Sequence, residues 1–116
     1  MSIIIGRELA IAAIEAAATK KAEDTVLLNP GGISGLAEWF IVTGGTNTLH
    51  NKAIADAITL RMRDEGVKLV HKEGYSDGRW ILIDYFDVVI NILVPELREH
   101  YMLEELYGKD CPKESF

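Results

Sequence analysis

The sequence has a single cysteine, Cys111, and only 3 prolines in 116 residues. One thiol can form no internal disulfide and supplies no multi-cysteine zinc site. With so few prolines and 48% hydrophobic residues, the chain can bury a core, which excludes wholesale disorder. Long apolar runs are missing as well. No stretch approaches the roughly 20 residues that cross a bilayer. The opening Ile3-Ile4-Ile5 run meets charge at Arg7 and Glu8 and has no basic residue before it, so no signal-peptide core is expected. Positive charge is scarce: 12 Lys and Arg stand against 18 Asp and Glu, a formal net charge of -6. Proteins that grip nucleic acid through phosphates carry the opposite excess. The balance favours a basic protein partner, or nothing in particular. The length fits one compact domain, expected to be soluble and cytoplasmic.

What is present reads as a mixed α/β chain. Residues 3–21 place Leu9, Ala10, Ala13, Ile14 and Ala17 at helical spacing, with Lys20 and Lys21 near the C-terminal end. Its many alanines suit either close packing or a bland outer face. Val26-Leu27-Leu28 predicts a strand stopped at Asn29-Pro30-Gly31-Gly32, and Trp39 to Thr43 predicts a second ended by Gly44-Gly45. A connection containing Pro30, Gly31, Gly32 and Gly35 makes these two antiparallel neighbours. Thr48 to Glu65 is the clearest helix, with an apolar stripe of Leu49, Ala53, Ile54, Ala57, Ile58 and Met62. Asn47 or Thr48 can cap it, and Gly66 can end it in a left-handed conformation. Three more strands follow at Val67–His71, Arg79–Asp84 and Val88–Val94, the last two joined by a hairpin at Tyr85-Phe86-Asp87. Pro95 opens a final helix closed by Gly108, and residues 109–116 read as a polar tail after a domain spanning 1–108. The expected fold is a five-stranded mixed sheet with helices mainly on one face.

Few residues carry a chemical signature. Gly44-Gly45-Thr46-Asn47 follows a strand and opens a helix, where backbone amides can cradle a phosphate, but it lacks a P-loop lysine and a dinucleotide fingerprint. A plain structural turn is the simpler account. Nucleotidyltransferases carry a comparable glycine turn and two carboxylates on alternate residues of a following strand. Here Asp56 has a suitable spacing, but the alternate position is Ile58, and Asp84 and Asp87 bracket a turn. His50, His71 and His100 are scattered without ligand spacing, so no metal is expected. No catalytic residue and no cofactor site is expected either, and Cys111 reads as a spectator. The segment from Glu73 to Leu93 is richer. Strand alternation puts Trp80, Leu82 and Asp84 on one face and Ile81 and Ile83 on the other. Aromatic anchors rimmed by carboxylates suit a basic protein partner, and an ordinary core tryptophan with a solvated acidic rim suits the same pattern.

In these segments the chain resembles the ribosomal silencing factor, or Iojap, family. The likeness runs from about residue 7 to about 110 and rests on ordered pieces. They are Glu38-Trp39-Phe40-Ile41-Val42-Thr43-Gly44-Gly45-Thr46, Ala53-Ile54-Ala55-Asp56, Glu73-Gly74, Trp80 through Asn91, and the set Arg98, Tyr101, Leu103, Glu104, Leu106 and Tyr107. Four positions depart from the family pattern. Phe86 stands for the usual glycine, Asn91 for histidine, Tyr107 for tryptophan and Glu38 for aspartate. Phe86 puts the turn conformation in question and adds a potential apolar contact.

The resemblance implies a nucleotidyltransferase-like fold without catalytic carboxylates. It also implies a non-enzymatic factor that binds the large ribosomal subunit through its ribosomal protein fourteen, with little direct rRNA contact and no membrane. Such a factor blocks joining of the small subunit and represses translation. Organellar relatives act in large-subunit assembly. Carried over by position, the partner-binding residues are Glu73, Trp80, Asp84, Tyr85, Phe86, Asn91 and Leu93, with Trp80 and Tyr85 as anchors. An exposed aromatic face could also support a homodimer in the free state. A nucleotidyltransferase-like nucleotide binder built on Gly44 to Asn47 is the competing expectation.

Overall fold

The computed structural model describes residues 4–30, 37–105 and 111–116. The predicted turn and cap positions Gly31, Gly32, Gly35 and Gly108, and the motif residues Leu106 and Tyr107, lie outside these. In chain order the elements are α1 (Gly6–Ala18), β1 (Glu23–Leu28), β2 (Trp39–Gly44), α2 (Thr48–Asp64), β3 (His71–Glu73), β4 (Trp80–Asp84), β5 (Val88–Leu93), α3 (Pro95–Tyr101) and β6 (Lys113–Ser115). A 3-10 turn spans Leu103–Glu105. The strands form one six-stranded sheet in the order β3-β4-β5-β2-β1-β6. β2 and β5 run parallel, and every other neighbouring pair is antiparallel.

The expected five strands are therefore six. Lys113–Ser115, read as part of a polar tail, pairs with Val26–Leu28. All three residues are exposed, so no apolar pattern announces the strand. Backbone bonds hold it, from Asn29 N to Pro112 O (3.1 Å) and from Phe116 N to Thr25 O (2.8 Å), with an Arg7–Glu114 ion pair at 2.7 Å. The third strand also shifts, from the expected Val67–His71 to His71–Glu73. Leu69 and Val70 stay exposed, so the alternation there does not mark a buried face. The last helix stops at Tyr101 rather than near Gly108, because Met102 turns left-handed (φ 48°) and its amide bonds Arg98 O.

Other expectations hold. β1 and β2 are antiparallel neighbours, and β4 and β5 form a hairpin. Asn47 caps α2 by accepting from His50 N at 2.8 Å, and Gly66 takes φ 78° just past its end. The small residues of α1 serve close packing: Ala10, Ala12, Ala13, Ala16 and Ala17 are buried, and the helix lies on α2 and on the β2–β5 centre of the sheet. Ile54, Ala55, Ile58 and Met62 turn the buried stripe of α2 towards the same layer. Together the two long helices enclose Leu27, Ile41, Ile81, Ile83, Ile90 and Ile92. On the opposite face of the sheet a smaller cluster forms from Leu28, Phe40, Val42 and Leu93, roofed by Leu97 of α3, by Leu103 and by Cys111. That roof covers the β1–β2 half and leaves the β3–β4 half less enclosed.

Candidate protein-docking face

Register decides which side chains share this less enclosed half. In the ladders, Trp80 stands opposite Leu93, Leu82 opposite Asn91 and Glu73, and Asp84 opposite Val89 and His71. Directly paired residues project to the same side of a sheet. Glu73, Trp80, Asp84, Asn91 and Leu93 are thus brought onto one face, although they lie far apart in sequence. Ile81 and Ile83, on the helix side, are completely buried, while Trp80, Leu82 and Asp84 are all partly exposed. The sequence alternation therefore reports a real difference between the faces.

Trp80 is fixed on this face by two contacts. Its indole N–H donates to Asn91 Oδ1 at 2.9 Å, and its ring meets the Tyr101 ring with centroids 5.1 Å apart. Asn91 lies on the neighbouring strand β5, so the bond ties the indole across the hairpin. Its own Nδ2 is buried and has no protein partner. Tyr101, half exposed, was not singled out by the sequence as a docking residue. Its spacing four residues after Leu97 on one helix was the available signal, since both then lie on the side turned towards the sheet. Met102, next in the chain, is exposed to the same extent.

One expected anchor and one expected contact residue are buried. Tyr85 is only 5% exposed and belongs to the helix-side core, so it does not stand beside Trp80. Burial pushes its phenol up to about 12. Leu93, at 1% exposure, is a floor beneath the face rather than a surface contact. Asn91 is buried as well and acts by holding Trp80. Among the predicted residues, Glu73, Trp80, Asp84 and Phe86 are the ones that present surface.

The Tyr85-Phe86-Asp87 turn adjoins the face through Asp84. Asp84 Oδ1 accepts from Phe86 N at 2.7 Å, and Asp87 N donates to Tyr85 O at 3.0 Å. Phe86 has φ 76°, the conformation usual for glycine, and is 78% exposed. A bulky side chain thus occupies a turn position of positive φ.

The glycine turn after β2 has a different character. Gly45 N donates to Asn51 Oδ1 at 2.7 Å and Thr46 N to His50 Nδ1 at 2.9 Å. His50 Nε2 therefore carries the ring proton and donates to Lys20 O at 2.6 Å. Two amides of the turn that could cradle a phosphate, those of Gly45 and Thr46, are already used by the protein's own side chains. A Cβ at Gly44 would lie 2.0 Å from Leu93 O, so glycine is needed for close backbone approach there. Asn51 also donates to Gly78 O at 2.9 Å, linking this turn to the loop before β4. Sequence gave no sign of that role, because a buried helix asparagine looks like any polar position. Asp56 accepts a hydrogen bond from Tyr75 OH at 2.8 Å on the outside of α2, and the neighbouring Ile58 is core. Among the described residues, no group of three or more His, Cys, Asp or Glu is arranged to hold a metal ion.

Arg98 has a structural role on the same side of the sheet. Its guanidinium donates to the carbonyls of Glu23 (3.0 Å) and Asp24, and its Nε pairs with Glu104 at 3.6 Å. It thereby ties α3 to the start of β1. Among the described residues, no helix is long and apolar enough to cross a membrane.

Comparison with known proteins adds the family. The pattern of the family described as "Ribosomal silencing factor during starvation" matches residues 6–116. A ribosomal silencing factor of Halalkalibacterium halodurans is 38% identical over 106 residues, covering 91% of this chain and 90% of that one. A crystal structure of a Chromobacterium violaceum protein superposes with a TM-score of 0.85 at 32% identity, over 95% of this chain and 90% of that one. More distantly, the mouse protein named for mitochondrial assembly of the ribosomal large subunit is 33% identical over 76 residues, 60% of this chain and 32% of that one. With the whole of the described fold inside the matched span, the chain belongs to the ribosomal silencing factor family.

Proposed function

We propose that this protein binds the large ribosomal subunit through ribosomal protein fourteen, using the sheet face that carries Trp80, Tyr101, Glu73 and Asp84. Docked there, the domain blocks joining of the small subunit and represses translation in the cytoplasm. The observation that carries this proposal is the unequal covering of the sheet. Two helices seal one side, while an aromatic pair rimmed by carboxylates remains accessible on the other. Large aromatics at the centre of a contact, with charges around them, are the usual composition of an energetic interface. A net charge of -6 directs such a face to a basic protein and away from exposed rRNA. No reaction is needed, since a rigid domain acts here by occupying space.

Co-sedimentation with purified bacterial large subunits tests the proposal. Saturable binding at low salt, and inhibition of joining when small subunits are added, is the expected result. Absence from the large-subunit pellet at low salt rejects it. A second reading, large-subunit assembly through the same face, draws on the name of the mouse relative. Depletion that leaves mature subunits abundant but derepresses translation favours silencing. Accumulated large-subunit precursors favour assembly. Nucleotide binding at Gly44–Asn47 predicts saturable heat with ATP and Mg²⁺ in calorimetry, and the occupied amides of that turn argue for none.

A further inference from the structure

We infer that Phe86 is an added specificity contact of this chain, an apolar tip held out by the β4–β5 turn for insertion into an apolar cleft on a basic protein surface. The inference rests on the docking proposal above and sharpens it. Bulky residues rarely adopt positive φ, because Cβ then crowds the backbone. Phe86 nonetheless has φ 76°. Its burial offers no compensation, since the side chain is 78% exposed. Glycine would satisfy the turn with neither penalty. A strained residue whose side chain packs little against its own fold points to a use outside that fold.

The surroundings specify the occupant. Asp84 and Asp87 flank the turn, and Asp87 O accepts from Trp39 N at 2.9 Å, which brings Glu38 to the adjoining strand start. Val70, 59% exposed, is tied beside Asp84 by a 3.0 Å bond from Val70 N to Asp84 O. The tip is therefore apolar and its rim anionic. Phosphate-bearing RNA is repelled by that rim. A second copy presenting the same turn would bring like charges together. A protein surface rich in Lys or Arg complements it. Because the turn starts at Asp84, the tip continues the face centred on Trp80.

Two variants separate contact from strain. Phe86→Gly removes both the ring and the strain, while Phe86→Ala removes the ring and keeps Cβ at positive φ. Thermal unfolding is expected to place the glycine variant about 4 °C or more above the alanine variant. Both variants are expected to bind purified bacterial large subunits about tenfold more weakly than the parent chain, as truncation of an interface anchor does. Equal melting of the two variants overturns the strain argument. Unchanged affinity in both overturns the contact. Loss of a parental homodimer in both variants, with subunit binding intact, assigns the tip to a second copy and also overturns the proposal. If the parent chain itself fails to co-sediment, the docking proposal fails first, a result distinct from any of these.

Discussion

The two faces of this sheet are made from alternate residues of the same strands, yet they end in opposite states. On one, Ile81, Ile83, Ile90 and Ile92 disappear under α1 and α2. On the other, Trp80, Leu82 and Asp84 keep solvent contact, with α3 and the C-terminal segment as a partial roof among the described residues. The closed face is mainly aliphatic, with Tyr85 at its edge, and gains chiefly from burial. The open face mixes an indole, a phenol and carboxylates, and holds its tryptophan by a specific hydrogen bond to Asn91. The lesson is that strand alternation can separate stability from recognition within a few residues. Substitutions on the closed face should change folding, and substitutions on the open face should change binding.

The largest expected effect is on the closed face. Ile83→Ala should cost about 3 kcal/mol in urea unfolding, because it opens a cavity between sheet and helices. A loss below about 1 kcal/mol would remove the distinction between the faces. Asn51→Ala comes next, with about 2 kcal/mol lost, since it strands Gly45 N and Gly78 O without partners. Near-normal stability in that variant would mean that water replaces the side chain. On the open face, Trp80→Ala should weaken large-subunit binding by about 2 kcal/mol. Unfolding of that variant by circular dichroism must remain cooperative, and equal affinity would take Trp80 out of the interface.

A smaller effect is read from alkaline titration. Burial raises the Tyr85 phenol from 10.0 to about 12, so folding favours its neutral form. Its contribution is complete below pH 10 and is lost as pH rises towards 12. Tyr85→Phe should show less loss of stability across that window, measured by urea unfolding at successive pH values. The smallest effect belongs to the added edge strand: Arg7→Ala removes an exposed ion pair and should cost less than about 1 kcal/mol.

Much of this division was legible in the sequence. The alternation from Trp80 to Asp84 gave both faces, and the capping pattern from Asn47 to Gly66 gave α2 with its ends. Tyr85, expected as an anchor from its position in the motif, lies in the helix-side core, because the strand's alternation ends where its turn begins and the turn swings that ring inward. β6 was invisible because three polar, exposed residues are held by backbone pairing, which leaves no periodic trace. The positions of Tyr101 and Asn51 depend on long-range packing, with the Trp80 ring and with Gly78 O respectively, and composition does not encode such partners.

The most direct test of the central claim compares one charge reversal from each side of the molecule. Glu73→Lys lies on the open face, and Asp64→Lys lies at the exposed end of α2. Both change the net charge equally, so any general electrostatic effect is shared. Affinity for purified large subunits at fixed salt should fall by about tenfold or more for Glu73→Lys and stay near the parental value for Asp64→Lys. Equal losses, or a larger loss at Asp64, would contradict docking through the open face.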